Sequence, residues 1–430
     1  MRHRLTKFIM MGLFSVLVTS YWSVGTVSAD EAETEALKAD VQVMKDRLAR
    51  LERQLAQAEL KGTTGIGEKK GVPTLELPSG LEGLAMSGYA DVSFDYSFNE
   101  PDTSTTANIG RAFDTENNGF TPHAFELVLE KAETDQMPIG FRTDLFFGDD
   151  ASVFKATGLG VAGEDFDLQQ AYITAKAPIG EGIDFKVGKF VTLLGAEVIE
   201  SPANWNYSRS YMFFYSIPFT HTGALATYPL GSFGSVTGGV VNGWDIVDDS
   251  NNFKSLLGNV TLTPIEHVTL SFNGITGAER AANDHDDRTV FDFVGSWQAT
   301  EKLALMMNYD YGHESSLTQG TGATGFESAN WQGLALYGKY DLTDTWSLAG
   351  RWEWFDDKDN VRTLLTSRGG GIPTDIDFYG WTLTSQWKLH EHLLARLEYR
   401  HDKADEKVFV RDEGFTAYQD TIAAELIYHF

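Results

Sequence analysis

The 430-residue chain contains no cysteine and has few basic residues. A secreted fold without disulfides depends on a large sheet or core. Lys and Arg number 34 against 61 Asp and Glu, and the formal net charge is −27. This charge argues against nucleic acid as a partner, because nucleic-acid-binding surfaces are basic. After the first 29 residues no run of 18 apolar residues occurs, so no spanning α-helix is predicted.

The sequence also lacks the local motifs of common enzymes. Neither Gly-x-Ser-x-Gly nor His-Glu-x-x-His occurs. The segment from Gly333 to Lys339 is similar to a phosphate-binding loop, but Tyr340 follows where that motif has Ser or Thr. We therefore predict no enzymatic activity, no cofactor and no metal site. A hydrolase whose Ser and His meet only after folding stays open as an alternative.

Residues 1–29 have the organisation of a secretory signal peptide. Three basic residues precede an apolar run over residues 8–18, and Val27-Ser28-Ala29 places small side chains where signal peptidase cleaves. The apolar run is too short for a membrane helix. We therefore predict that the chain is exported, with retention of the segment as an anchor as the alternative.

From residue 84 to residue 430 the sequence alternates apolar and polar residues in sixteen stretches. The gaps between them alternate between short and long, as in barrels with short periplasmic turns and long external loops. The sequence therefore predicts an all-β fold, a transmembrane antiparallel β-barrel of about 16 strands. Between the first strand, which begins at 84, and the last, near 421–430, strands are predicted near 122–132, 138–147, 167–177, 183–191, 221–228, 234–244, 254–263, 267–275, 288–298, 303–311, 331–340, 346–355, 378–388 and 393–401.

The polar face of each strand is expected to line the lumen. A one-residue slip would turn Asp91 and Asp95, or Glu425, toward lipid, and a midplane charge costs about 2–4 kcal/mol for Arg or Lys and somewhat less for Asp or Glu. Lys339 is compatible with either face of its strand. The alternative is a soluble all-β protein, because alternation alone does not separate the two. Any single aromatic residue near a strand end could be core packing, and as a group they are expected at the membrane interfaces: Tyr89, Trp297, Trp331, Trp346, Trp381 and Trp387.

Residues 30–60 carry a heptad pattern instead, which predicts an N-terminal α-helical coiled coil in the periplasm. Arg47 falls at position g and Glu52 at e, in a pattern associated with parallel trimers. We therefore expect a homotrimer; the alternative is a single amphipathic helix against the barrel mouth. Residues 61–83, rich in Gly and Pro, are predicted to be a flexible linker. The trimerisation residues are Leu37, Val41, Met44, Arg47, Leu48, Leu51, Glu52 and Leu55.

The longest gap follows the fifth predicted strand and contains several short motifs. They are Gly188-Lys189-Phe190, Gly195-x-Glu197, Ser201-Pro202, Tyr207-Ser208-Arg209-Ser210 and Pro218-x-Thr-His221-x-Gly223. Through these motifs the sequence resembles the outer-membrane porins of the OmpL-like family, also called putative β-barrel porin-2. The resemblance implies a Gram-negative outer-membrane channel for small solutes, and it implies no particular substrate. We predict passive diffusion of small hydrophilic solutes or ions.

A loop of this length, rich in Asn, Ser, Tyr and Trp, is predicted to fold into the lumen near residues 192–220, because sixteen strands otherwise enclose a wide channel. Its charges would then act on permeating solutes. The alternative is that they pin the loop to the wall by ion pairs. Candidates for the constriction are Lys189, Glu197, Glu200, Arg209 and His221.

The charges assigned to the lumen predict a weak preference for cations, because acidic residues outnumber basic ones and lining charge biases ion selection. The basic residues near Glu398 could equally form a ladder of wall salt bridges. The acidic lining residues are Asp91, Asp95, Glu126, Glu130, Asp144, Asp184, Asp292, Asp310, Glu353, Glu398 and Glu425. The basic ones are Arg142, Lys176, Lys186, Arg351, Lys388, Arg396 and Arg400.

Acidic clusters also occur in the predicted external loops, for example at Asp149-Asp150 and Asp356-Asp357. Such clusters are usually solvated, and Ca²⁺ bridging to lipopolysaccharide is the alternative. The expected partners are therefore outer-membrane lipid, lipopolysaccharide through such bridges, and the permeating solutes. Besides a passive porin, the sequence allows two other functions: a structural or adhesive tether with an incidental pore, and an outer-membrane hydrolase.

Overall fold

The computed structural model describes residues 83–101, 108–134, 137–315, 328–365, 375–411 and 414–430. The predicted signal peptide, the coiled coil and the linker up to residue 82 lie outside these ranges. Within them, no helix is both long and apolar enough to cross a membrane.

Sixteen strands form one closed antiparallel barrel, which confirms the predicted fold class and strand number. A separate ribbon of β16 (Phe409–Arg411) and β17 (Gly414–Thr416) in the last loop was not predicted. The barrel strands are β1 (Ala85–Ser97), β2 (Gly119–Lys131), β3 (Ile139–Phe147), β4 (Phe166–Ala177), β5 (Ile183–Val191), β6 (Thr220–Pro229), β7 (Gly234–Val241), β8 (Ser255–Ile265), β9 (Val268–Ala278), β10 (Asp287–Gln298), β11 (Leu303–Ser315), β12 (Ser328–Thr343), β13 (Trp346–Asp357), β14 (Ile376–His390), β15 (Leu393–Ala404) and β18 (Tyr418–His429). Two short helices, α1 (Ala151–Phe154) and α2 (Tyr211–Tyr215), lie in loops.

The barrel closes where β1 pairs with β18. At the seam Gly88 N donates to Phe430 O at 3.1 Å, and Phe430 N donates to Gly88 O at 3.0 Å. A Cβ at Gly88 would lie 2.1 Å from Glu126 O and 2.9 Å from the Phe430 ring, so this position requires glycine. Closure removes the free sheet edges, which satisfies the backbone groups in a hydrocarbon environment.

The two faces of the strands differ as the alternation predicts. Outward positions carry large exposed apolar side chains, such as Phe291 at 62% exposure. On the inward face Asp91, Asp95 and Glu425 are buried. Lys339, for which the sequence allowed either face, lies opposite Ala349 on the inward face of β13. Its side chain therefore faces the lumen.

The connections at one rim are short and those at the other rim are long, as predicted. Short connections include 178–182, 230–233, 299–302 and 344–345; long ones include 98–118, 148–165, 192–219 and 316–327. The 192–219 segment joins β5 to β6 and is the longest connection between consecutive barrel strands.

Two of the aromatic residues expected at the membrane interface point inward instead, so those two assignments are wrong. Trp331 is only 1% exposed, and its Nε1 donates to Ser216 O at 3.2 Å. Tyr89 is buried and meets the ring of Phe146 edge-on. The reason is that loop segments and apolar rings occupy the lumen beside these strands, which makes an inward position apolar.

β-bulges change the direction of two polar side chains, those of His123 and Gln169. The register of β1 on β2 shifts so that His123 has no partner on β1, and the register of β3 on β4 shifts so that Gln169 has none on β3. An extra residue in a bulge bends the strand and redirects its side chain. Both side chains are buried. These two bulges therefore lie beside the polar clusters of the lumen.

Candidate functional site

The 192–219 loop has its own internal hydrogen bonds. Glu197 Oε2 accepts from Ser210 N at 2.8 Å and from Ser210 Oγ at 2.6 Å. Ser210 Oγ in turn accepts from Phe213 N at 3.2 Å and so caps α2. The Asn204 side chain bonds both the N and the O of Val198. These contacts hold the loop as a compact unit.

Carboxylates of the opposite wall accept hydrogen bonds from the backbone of this loop. Glu398 accepts from Tyr207 N at 2.7 Å and Ser208 N at 3.0 Å. Glu353, on β13, accepts from Tyr211 N at 2.6 Å. Hydrogen bonds to an ionised acceptor are about twice as strong as neutral ones. The loop therefore reaches across the barrel and is held by charged wall residues.

Three arginines of the same wall donate to loop carbonyls. Arg351 donates to Ser208 O at 2.5 Å, and Arg396 donates to Asn204 O at 2.7 Å. Arg400 donates to Arg209 O at 2.7 Å. The wall itself carries salt bridges, and they join Arg351 to Glu353 at 3.0 Å, Arg396 to Glu425 at 3.0 Å and Arg400 to Glu353 at 3.4 Å. These arginines thus take part both in wall salt bridges and in loop docking.

Four of the five constriction candidates make contacts that fix the loop or its ends. Lys189 pairs with Asp167 at 2.7 Å, and Glu197 pairs with Arg351 at 2.9 Å. Arg209 donates to Ile199 O at 2.5 Å. The two ring nitrogens of His221 lie 3.0 Å from Thr192 Oγ1 and 3.0 Å from Gly243 O. The Arg209 guanidinium also stacks over the Phe113 ring at 5.0 Å.

Glu200 differs from those four because it lies beside other carboxylates. One oxygen each from Glu126, Asp144 and Glu200 lies within 4.8 Å of the others. Arg142 Nε donates to both oxygens of Asp144, at 2.9 Å and 3.1 Å. The sequence predicts Glu126 and Asp144 in the lumen and Glu200 in the loop, but the spacing of these three residues does not predict that they meet.

Other predicted lining residues lie on the β2–β5 side and on β10 and β11. Arg142 lies 3.4 Å from Glu130, and Lys176 lies 3.2 Å from Asp184. The Lys186 ammonium stacks on the Tyr172 ring at 4.5 Å. On β10, Asp292 accepts from Asn308 Nδ2 at 2.6 Å, and Asp310 accepts from the same Asn308 amide at 2.9 Å.

A Ser–His–Asp arrangement, which the hydrolase alternative requires, occurs inside the barrel. His123 Nε2 lies 2.8 Å from Ser93 Oγ, and His123 Nδ1 lies 2.7 Å from Asp150 Oδ1. However, Ser93 Oγ also bonds Asp95 Oδ2 at 2.5 Å, and the Tyr207 hydroxyl covers both Ser93 and His123 at 2.9 Å. All three members are buried, so no substrate reaches the serine as it stands. The arrangement anchors Tyr207 to the wall.

Acidic residues of the external loops bond the backbone of their own loop or of a neighbouring one. Asp245 Oδ1 accepts from Phe219 N and Thr220 N at 2.8 Å each. Asp357, at the end of β13, accepts from the backbone of Thr363 at 2.7 Å. Burial raises the pKa of Asp245 to about 6. These carboxylates therefore order the loops around the mouth of the barrel.

The polar lumen and the inward loop agree with a channel, and the family comparison decides the assignment. The profile of the family "putative beta-barrel porin-2, OmpL-like" matches residues 83–430. The chain belongs to this family. It is thus a bacterial outer-membrane porin-type barrel, as the sequence motifs of the 188–223 segment predicted. Among curated proteins no relative matches.

Several solved outer-membrane barrels share the fold. The anion-selective porin from Comamonas acidovorans is 11% identical, with a TM-score of 0.54 over 81% of this chain and 99% of that one. The outer-membrane channel DcaP of Acinetobacter baumannii is 10% identical, with a TM-score of 0.53 over 81% and 97%. OmpT of Vibrio cholerae is 11% identical, with a TM-score of 0.52 over 81% and 97%. At these identities the likeness concerns the fold alone.

Proposed function

We propose that this porin allows passive diffusion of small hydrophilic solutes or ions through a lumen narrowed by the 192–219 loop. The supporting observation is the set of hydrogen bonds that this loop makes with Arg351, Glu353 and Glu398 on the opposite wall. A sixteen-stranded barrel without such a loop encloses a wide aqueous channel. No chemical step is involved.

The proposed path runs between the loop and the wall formed by β3 to β9. Several inward side chains on this wall are polar and partly exposed, among them Thr227, Thr261 and Ser271. Hydroxyl groups exchange hydrogen bonds with water and sugars without strong binding, which suits rapid passage. Beside this path we place Glu126 on β2, Asp144 on β3 and Glu200 in the loop, together with the basic side chains of Arg142 and Lys186.

A weak preference for cations follows from this local excess of carboxylates over basic groups. The selectivity of the Comamonas porin does not bear on this chain, because that likeness is one of fold. Glu197 and Arg209 are engaged in loop contacts, so Glu200 is the candidate constriction residue with the most direct influence on ions.

Single-channel recording in planar bilayers under a salt gradient tests the proposal. We expect stepwise conductance with a reversal potential on the cation side. Glu200→Gln should move the reversal potential toward zero, whereas Asp284→Asn, in an external loop, should leave it unchanged. Insertion without conductance would contradict the channel function, and a reversal potential on the anion side would contradict the selectivity.

The proposed assembly is a homotrimer held by the coiled coil of residues 30–60. Its support is the heptad seam with Arg47 and Glu52 at flanking positions. One solved OmpT of Vibrio cholerae is described as a trimer form. Multi-angle light scattering of the full chain in detergent, compared with a chain lacking 30–60, tests this. A trimer that persists unchanged without the segment would assign trimerisation to the barrel wall instead.

The hydrolase alternative has one specific observation in its favour, the contact between Ser93 and His123. For catalysis the loop would have to withdraw Tyr207 from Ser93. A serine-reactive fluorophosphonate should therefore leave the purified porin unlabelled. Labelling that disappears in Ser93→Ala would favour the hydrolase.

A further inference from the structure

The carboxylate cluster of Glu126, Asp144 and Glu200 joins the loop to the wall. Glu126 lies on β2, Asp144 on β3 and Glu200 in the 192–219 loop, and their oxygens lie within 4.8 Å of one another. Arg142 bonds Asp144 through Nε. Three carboxylates against Arg142 and the nearby Lys186 leave an excess of one negative charge, and like charges at this distance repel unless a cation or a proton separates them.

Two buried oxygen atoms at this cluster lack a donor. Glu126 is 3% exposed, and in the part of the chain that the structure describes no group donates to its Oε1. Gln169, the buried bulge residue of β4, donates Nε2 to Glu200 Oε1 at 2.5 Å, while its own Oε1 has no partner there either. Buried polar atoms nearly always have a hydrogen-bond partner or another ligand, so we expect these two oxygen atoms to bind one.

The spacing admits a hard cation of the size of Ca²⁺. Ca²⁺ binds oxygen at about 2.3–2.6 Å, so two ligands on opposite sides of the ion lie up to about 5 Å apart. The three carboxylate oxygens lie within 4.8 Å of one another, so one Ca²⁺ can contact all three without movement of the strands. The Gln169 amide can rotate to present its oxygen as a further ligand.

We propose that Glu126, Asp144 and Glu200, with the Gln169 carbonyl oxygen, bind one divalent cation of the size of Ca²⁺. The bound ion fastens the 192–219 loop to the β2–β3 wall and neutralises the carboxylates beside the path. The consequence for transport rests on the proposed channel function. An occupied site opposes the passage of monovalent cations, so Ca²⁺ reduces both the conductance and the cation preference.

Isothermal titration of the chelator-treated porin in detergent with CaCl₂ tests the site directly. We expect one Ca²⁺ per barrel and a loss of affinity of about tenfold or more in Glu126→Gln. Asp184→Asn is the matched control, because Asp184 is a wall carboxylate that pairs with Lys176 outside the cluster; its affinity should equal that of the wild type. Absence of saturable binding, or equal binding by Glu126→Gln, would overturn the proposal.

If Glu126→Gln does not fold, Glu200→Gln tests the same site, because Glu200 lies in the loop and not in a strand. Conductance of the same preparation separates the two proposals. A conducting channel that binds no Ca²⁺ overturns the site and leaves the porin function intact. A silent barrel that binds one Ca²⁺ through Glu200 supports the site and overturns the porin function.

Discussion

The two sides of the lumen use their polar residues differently. On β13, β14, β15 and β18 several inward residues are charged and buried, such as Arg351 and Glu425, and the loop bonds them directly. On β6 to β9 the inward polar residues are neutral, and several bond one another, as Thr227 does with Thr237 at 2.8 Å. Ionised side chains hold backbone groups strongly, whereas hydroxyl pairs do not. We infer that one wall fixes the loop and the other borders the path.

Removal of an arginine from the charged wall should have the largest effect. Arg351→Ala leaves Glu197 and Glu353 buried without their shared partner, and breaking a buried ion pair in this way costs about 3–5 kcal/mol. Urea unfolding in detergent micelles measures the free energy. The double variant Arg351→Ala with Glu197→Ala should recover part of the loss, and a single variant with wild-type stability would remove Arg351 from loop docking.

The next effect concerns the anchor of the loop at β1 and β2. Tyr207→Phe removes the hydroxyl that contacts Ser93, Asp95 and His123. Unsatisfied buried groups cost about 1–3 kcal/mol, and the same unfolding assay should detect this. Tyr340→Phe, at an exposed outward tyrosine, is the control and should be neutral. Equal stabilities of the two variants would contradict the anchor.

The external mouth should respond to pH through Asp245. Burial raises its pKa to about 6 from the usual 3.8, although two backbone N–H groups favour the ionised form. The folded state therefore holds the proton more tightly than the unfolded state. This tighter binding of the proton by Asp245 adds to the free energy of unfolding. The addition is complete below about pH 3.8 and is lost as the pH rises to about 6.

Asp245→Asn should remove that decline, because an amide does not titrate in this range. Thermal unfolding of the wild type and the variant across the pH window measures it. The same slope in both proteins would assign the pH dependence to other groups.

The smallest effect is expected on β4 and β5, which border the proposed path next to β6. Lys176 and Asp184 are half-exposed and 3.2 Å apart, and such pairs contribute about 0–1 kcal/mol. The free energy of unfolding of Lys176→Ala should therefore lie within about 1 kcal/mol of the wild-type value. A loss as large as that of Arg351→Ala would remove the distinction between the two walls.

The barrel could be predicted from sequence because side-chain alternation has a period of two and a slip is costly at every charged position. The inward faces of Asp91 and Glu425 follow from that rule alone. Trp331 could not be predicted in the same way, because its burial depends on Ser216, a residue of the loop. Strand periodicity contains no information on which wall a loop contacts.

The cluster of Glu126, Asp144 and Glu200 shows the same limit. Each residue could be placed in the lumen or the loop from its own strand or motif, but their meeting depends on the register of β2 and β3 and on the path of the loop. The bulge that redirects Gln169 toward Glu200 has no sequence signal in a single chain. Long-range contacts of this kind require the folded geometry.

The central claim is that the 192–219 loop narrows an open channel. Its most direct test is the single-channel conductance of the wild type beside a variant in which residues 196–216 are replaced by a short Gly-Ser linker. We predict stepwise conductance in both proteins, with larger steps in the variant because the sixteen-stranded barrel is then unobstructed. Steps of equal size in the two proteins would contradict the claim.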